Sequence, residues 1–216
     1  MNFERFIEHT ALSPTLTAED VDKLVREAIQ FQFHGVCVPP FWVKRARREA
    51  GEAPLVVVTV AGFPLGYNLT ETKVDEINRV IDHGAQEVDM VMNLSAFKSG
   101  IPWTKIEIAK CASICHARQI ILKVIIETAQ LSEVEIQQAS KLCADAGADF
   151  VKTSTGFGPG GATVEHVKLI RAAVHPSVGI KASGGIKTRE QALRLIDAGA
   201  NRIGTSSAVS MMQSNS

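Results

Sequence analysis

Short β-branched runs alternate along the chain with stretches whose apolar residues recur every three or four positions. That alternation predicts strand and helix in regular turn. Residues 7–12 read as a strand ending at Ser13-Pro14, and Thr17 with Asp20 three positions on reads as a variant capping box. Val21, Leu24, Val25, Ala28 and Ile29 give the following helix its apolar face, and His34-Gly35 stops it. Residues 36–38 predict a buried strand closed by two prolines, and residues 42–50 a helix stopped by Gly51. Residues 55–60 are a β-branched strand ended by Gly62-Phe63-Pro64-Leu65-Gly66. Thr70, with Lys73 in place of the acid of a capping box, opens a helix carrying Val74, Ile77, Val80 and Ile81.

The second half repeats the pattern. Strands are predicted at 87–92, at 120–127 as the longest run, at 149–151 leading into Lys152, at 178–182 and at 202–204. Helices are predicted from Pro102 to about residue 117, from a capping box at Ser132 and Glu135, over 163–174, over 188–196, and briefly after Ser206. A tag recurs where helix gives way to strand: Asp82-His-Gly-Ala, Asp145-Ala-Gly-Ala and Asp197-Ala-Gly-Ala. A glycine there lets the chain take the left-handed turn that ends a helix. Eight strand–helix units in 216 residues come to about 27 residues each. They predict an α/β fold, a (β/α)₈ TIM barrel forming a single domain over 1–216, with a short polar tail at about 210–216. An open doubly wound sheet is the alternative, and no Gly-x-Gly-x-x-Gly follows the first strands to support a dinucleotide fold.

Composition narrows the function. With 23 basic and 23 acidic residues the net charge is zero, so no global field draws the chain to nucleic acid or to an anionic membrane. The basic cluster at 44–48 falls on a predicted helix and reads as a solvated face. No run of about 18 apolar residues is present, and the acidic N-terminal stretch does not read as a signal peptide. Of the four cysteines, Cys111 and Cys115 lie one helical turn apart beside His116; buried free thiols are the expectation and a metal pair the alternative. Reduced thiols without an export signal fit a cytoplasmic protein. The sequence leaves open whether the chain forms a homo-oligomer.

The chemistry is expected at the C-terminal ends of the strands. Asp89, Lys123, Lys152 and Lys181 each interrupt an apolar strand run, where a buried strand calls for Val or Ile. If all four point inward, one carboxylate offsets one of three ammonium charges, and at least one lysine must titrate well below its free value. Lys152, which runs into the small-polar turn Thr153-Ser154-Thr155-Gly156, is the candidate nucleophile. Lys181 would depress its pKa, Asp89 would accept or relay a proton, and Lys123 would pair with Asp89. Lys152 could instead snorkel to water, and Lys123 could be a purely structural ion-pair partner. Two further loops, Ser183-Gly184-Gly185 and Gly204-Thr205-Ser206-Ser207, each open a helix and suit a phosphate, with Gly156 adding an amide. Plain turn glycines are the other reading. The Gly158-Pro159-Gly160-Gly161 loop is flexible by composition and is given no ligand.

The stretches Glu-Val-Asp-Met-Val-Met-Asn, Leu-Lys-Val-Ile-Ile-Glu-Thr, Val-Lys-Thr-Ser-Thr-Gly-Phe and Lys-Ala-Ser-Gly-Gly-Ile, with His9-Thr10-Ala11-Leu12, resemble the deoxyribose-phosphate aldolases over nearly the whole chain. The resemblance implies a class I aldolase without metal or other cofactor. Its substrate would be a small phosphosugar, 2-deoxy-D-ribose 5-phosphate, cleaved to acetaldehyde and glyceraldehyde 3-phosphate. By resemblance Lys152 forms the Schiff base while Asp89 and Lys181 manage protons. Gly184, Gly185, Gly204, Ser206 and Ser207 hold the phosphate, and Thr10, Leu12 and Cys37 line the sugar end, with Lys123, Thr155 and Gly156 also in the substrate site. Two positions depart from the family pattern. Glu8 stands where members often carry Asp, so no relay role is carried over to it. The only tyrosine is Tyr67, so no tail-assisted step by a terminal tyrosine is expected. Another phosphosugar lyase or isomerase, or a non-catalytic phosphosugar-binding barrel, would share the phosphate loops. The six histidines show no metal-ligand spacing.

Overall fold

The computed structural model describes residues 2–213. Eight parallel strands close into a barrel in sequence order, with β8 paired back to β1. They are β1 Ile7–Thr10, β2 Gly35–Val38, β3 Val56–Ala61, β4 Glu87–Val91, β5 Ile121–Ile125, β6 Phe150–Lys152, β7 Gly179–Ser183 and β8 Arg202–Thr205. The helices are α1 Ala18–Gln30, α2 Val43–Ala50, α3 Thr70–Asp82, α4 Leu94–Lys98, α5 Trp103–Ala117, α6 Glu133–Asp145, α7 Val164–Ala173, α8 Arg189–Asp197 and α9 Ala208–Gln213. The closed barrel, not the open sheet, is the fold.

Local signals placed most of these elements. The capping boxes at Thr17/Asp20 and Ser132/Glu135 both form, and Thr188 with Gln191 makes a third. At the recurring tags, Gly84, Gly147 and Gly199 take φ of 100°, 94° and 115°. The amide of the alanine after each reaches back to the helix, from Ala85 to Val80, Ala148 to Cys143 and Ala200 to Leu195. This is the Schellman closure that exposes a buried alanine to the next strand.

Several boundaries differ from expectation. The run at 120–127 yields only Ile121–Ile125, because the backbone turns left-handed at Glu127. The six-residue β3 is the longest strand. Helix α4, capped by Asn93, is too short to show a helical period. Thr70 does not cap α3; its hydroxyl donates to Glu107 instead. Helix α9 runs through Gln213, so the predicted polar tail is helical that far and its remainder lies outside the described residues.

Alternation along each strand sorts the side chains into two compartments. Outward residues such as Val36, Val57, Met90, Val124, Val151 and Ile180 pack against the helices in one large apolar cluster that also takes in Cys111, Cys115 and Cys143. Inside the barrel the apolar cluster is small: Cys37, Val58 and Val60, with Leu12, Val56 and Phe63 against them. The rest of the interior carries the charged residues of the site.

A buried ion pair braces the barrel mouth. Lys73 Nζ donates to Glu107 Oε1 at 2.7 Å and to the Val91 carbonyl at 2.9 Å, so α3, α5 and the end of β4 are tied together. Gly62 lies on the lysine stem, where a Cβ would meet Lys73 Cε at 2.8 Å. Breaking such a pair strands a buried charge. Lys73→Met should lower unfolding free energy by about 3–5 kcal/mol in urea titrations, and Lys73→Met/Glu107→Gln should recover most of that loss.

Candidate functional site

Strand register sets Asp89 beside Lys123 and Lys152 beside Lys181. All four side chains are buried, as the interrupted apolar runs predicted. Asp89 is their common partner. Its Oδ2 accepts from Lys152 Nζ at 2.8 Å and from Lys181 Nζ at 2.6 Å, and its Oδ1 accepts from Lys123 Nζ at 2.9 Å.

The charge count expected from sequence needs correction. Three carboxylates, not one, face the three ammonium groups, because Glu8 and Glu87 also point inward and are buried. Glu87 Oε2 lies 2.5 Å from Lys123 Nζ, and Glu8 bonds Lys181 through Oε2 while its Oε1 lies 3.4 Å from Lys123. The partners are unequally shared. Lys123 touches all three carboxylates and Lys181 touches two, whereas Lys152 has only the oxygen of Asp89 that Lys181 also uses.

The pKa directions follow that distribution. Burial favours neutral amines everywhere, yet the surrounding carboxylates outweigh it at Lys123 and Lys181 and hold both above the ordinary lysine value. At Lys152 burial prevails, helped by the charge of Lys181 and only partly opposed by Asp89, so its pKa is lowered. Burial is thus the first cause and Lys181 an accessory one, where the sequence reading gave Lys181 the leading part. Burial pushes Asp89 up, but the three lysines hold it well below the carboxylate range. Glu87, pushed up by burial, is brought down to about 2 by Lys123 and His34.

Lys152 opens onto a cavity of about 640 Å³ at the C-terminal mouth. Thr10, Leu12, Thr155, Gly156, Gly184, Gly185, Gly204, Ser206 and Ser207 all line it, as expected from sequence. Lys123 and Cys37 do not. Lys123 is fully buried among Asp89, Glu8 and Glu87, and Cys37 is buried in the apolar wall, where burial pushes its thiol up to about 11. Asp89 and Lys181 do not line the cavity either; both are buried behind Lys152, to which Asp89 is bonded.

The loops of the mouth are stapled by their own small polar residues. Ser183 N–H donates to Thr153 Oγ1 at 3.1 Å and Ser183 Oγ to the Ser154 carbonyl at 2.6 Å, locking the β6 and β7 loops together. Gly184 and Gly185, with φ of 87° and 74°, form a turn that side chains resist. Gly161 is pressed against it, where a Cβ would meet the Gly184 carbonyl oxygen at 2.1 Å. The end of the glycine-rich loop therefore backs this turn. Thr205 Oγ1 donates to the Ile186 carbonyl and accepts from the Ser207 amide, so Ser207 has its hydroxyl rather than its amide to offer a ligand.

Sequence reasoning left Glu8 without a role and missed Glu87, His34 and Glu127. Glu8, His34 and Glu87 bring ligand atoms within 4.8 Å of one another at the barrel bottom. The Lys123 ammonium already stands against both carboxylates there. A metal ion would have to displace it, so this donor set fits an ammonium better than a metal. Glu127 follows β5 with φ of 50°, and its carboxylate binds Thr155. An acid ending the apolar run Val124-Ile125-Ile126 was the available signal.

The comparisons agree with this geometry. The family model described as DeoC/LacD family aldolase matches residues 6–211. A deoxyribose-phosphate aldolase of Thermococcus gammatolerans is 50% identical over 216 residues, covering 99% of this chain and 96% of the relative. One from Thermococcus kodakarensis is 51% identical over 212 residues, covering 97% and 95%. A solved deoxyribose phosphate aldolase from Aeropyrum pernix, described as a unique tetrameric structure, superposes with a TM-score of 0.92 at 33% identity, over 99% of this chain and 90% of that one.

The lowered Lys152 pKa is directly measurable. Reductive methylation followed across pH by peptide mapping should give Lys152 a midpoint below the ordinary lysine value of about 10.4. Lys181→Met removes a like charge and leaves Glu8 and Asp89 with fewer cations, so both effects should move that midpoint up.

Proposed function

Because the chain belongs to the DeoC/LacD family of aldolases, we propose that it cleaves 2-deoxy-D-ribose 5-phosphate reversibly to acetaldehyde and glyceraldehyde 3-phosphate, with Lys152 as the Schiff-base residue. The observation that carries this reading is the uneven sharing of carboxylates. Lys152 alone among three buried amines has a lowered pKa, and it alone opens onto the cavity. A neutral amine is what attack on an aldehyde needs.

The proposed steps are these. Lys152 Nζ adds to C1 of the open-chain sugar, and loss of water leaves a protonated Schiff base. That iminium draws the electrons of the C2–C3 bond as it breaks, giving an enamine at C1 and C2. The C3 hydroxyl loses its proton as C3 becomes the aldehyde of glyceraldehyde 3-phosphate. Asp89, 2.8 Å from Lys152 Nζ, takes that proton directly or through water. Lys181, bonded to the same carboxylate oxygen, keeps Asp89 ionised and passes protons with it. Protonation of the enamine at C2 and hydrolysis release acetaldehyde and the free lysine. Gly156, Gly184, Gly185, Gly204 and the hydroxyls of Ser206 and Ser207 hold the phosphate, while Thr10, Leu12 and Thr155 hold the sugar chain. Lys123, buried beside Asp89, acts by holding that carboxylate in place. No metal or other cofactor takes part in this scheme. No helix among the described residues is long and apolar enough to cross a membrane, which suits the cytoplasmic setting we infer. Self-association of this chain is proposed by analogy with the tetrameric relative.

Borohydride added with acetaldehyde should leave a stable ethyl adduct on Lys152, located by peptide mapping. Lys152→Leu should abolish the adduct and lower turnover of deoxyribose 5-phosphate by at least about 10³-fold. Turnover should be unchanged in chelator. A barrel that only binds phosphosugars would show neither adduct nor acetaldehyde.

A further inference from the structure

Glu127 is buried, holds a left-handed backbone at φ 50° and ψ 66° that side chains other than glycine and asparagine seldom adopt, and leaves its Oε1 without a hydrogen-bond partner. Such a combination persists only where surrounding structure imposes it. Here the other oxygen is fully used. Glu127 Oε2 accepts from the Thr155 amide at 3.1 Å and from the Thr155 hydroxyl at 2.5 Å. The chain leaves room for this carboxylate, since a Cβ on Gly158 would meet Glu127 Cδ at 2.9 Å.

We propose that Glu127 is a positioning residue that makes Thr155 an acceptor-only reader of a substrate hydroxyl. A carboxylate has no proton to give, so the hydrogen between the two oxygens belongs to Thr155 Oγ1. One lone pair of that oxygen accepts the Phe157 amide at 3.1 Å. The other remains for the cavity that Thr155 lines. A ligand group at this point must therefore bring a donor. Thr155 lies in sequence between Lys152 and Gly156, and a hydroxyl between the carbonyl and phosphate ends of the sugar chain supplies that donor. A ligand lacking it leaves the oxygen unpaired on binding, which is how polar sites reject deoxygenated analogues.

This inference rests on the aldolase reading, and the test separates the two. In the condensation direction, acetaldehyde is offered with glyceraldehyde 3-phosphate or with 3-oxopropyl phosphate, which lacks the hydroxyl beside the aldehyde. The ratio of the two kcat/KM values measures discrimination. Glu127→Met, of similar length but without an acceptor, should lower that ratio about tenfold, whereas Glu127→Gln, which keeps an acceptor oxygen, should retain it within about threefold. Thr155→Val should lower the ratio as Glu127→Met does, and combining the two should add no further loss. Borohydride trapping of acetaldehyde on Lys152 should continue in the Glu127 variants. Should Glu127→Met not fold, Glu127→Asp, one methylene too short to reach Thr155, must show the same drop. An equal loss with both aldehydes would reduce Glu127 to a structural role and overturn the proposal. Absence of trapping in the unsubstituted protein would instead overturn the aldolase reading itself.

Discussion

One carboxylate shared by three buried amines governs this molecule. Asp89 alone could not sustain three ammonium ions inside a barrel, since each loses several kcal/mol of hydration on burial. Glu8 and Glu87 make the count even, but they do so unequally, because they sit toward Lys123 and Lys181. The amine with the weakest claim on negative charge is the one at the cavity. The difference among the three amines therefore arises from where the carboxylates lie and not from a shortage of them. The same distribution raises the pKa of Lys123 and Lys181, so Asp89 remains ionised beside the one amine whose pKa is lowered.

Everything around that cluster keeps its members at fixed distances. The interior is divided, with Cys37, Val58 and Val60 forming an apolar wall on the β2–β3 side while β4 to β8 and β1 carry the charges. Long side chains cross such an interior only where another position is bare. Gly204 provides this for Lys181, since a Cβ there would lie 3.1 Å from Lys181 Cε. Gly179 does the same for the Phe150 ring, which a Cβ would meet at 2.3 Å. Arg202 in turn lies over that ring, 5.6 Å from its centroid, with its Nε 4.0 Å from Glu8 Oε1. Apolar packing outside the sheet supplies the stability that this polar interior does not.

What could be read from sequence was what depends on neighbours in the chain. Helix caps, the glycine closures after α3, α6 and α8, and lysines standing in apolar runs all declare themselves within a few residues. Partnerships made by barrel closure do not. Lys181 and Glu8 are 173 residues apart in sequence, and nothing near Glu8 marks it as facing inward. Glu87 and His34 meet only because β2, β3 and β4 lie side by side. Lys73 looked like a poor capping residue because its partner, Glu107, lies on another helix. Cys37, supplied by resemblance, and Lys123, read from its interrupted run, do not line the cavity, because Cys37 packs with Val58 and Val60 and Lys123 is enclosed by three carboxylates, contacts that only barrel closure sets.

Glu8 shows how one methylene can serve the same constraint. The barrel joins its ends at β1 and β8, so a residue on β1 must reach inward to complete the ring of charge around Asp89. Glu8 reaches Lys181 with one oxygen and comes within 3.4 Å of Lys123 with the other. An aspartate on the same backbone would withdraw its carboxylate by about 1.5 Å, one carbon–carbon bond. Lys123 would then lie beyond ion-pair distance and depend on Asp89 and Glu87. More of the charge of Asp89 would be drawn toward Lys123, and less would remain for Lys152 and Lys181. The longer side chain thus does more than substitute for a shorter acid. It bridges two amines across the seam of the barrel and sets how much of Asp89 is left to the third.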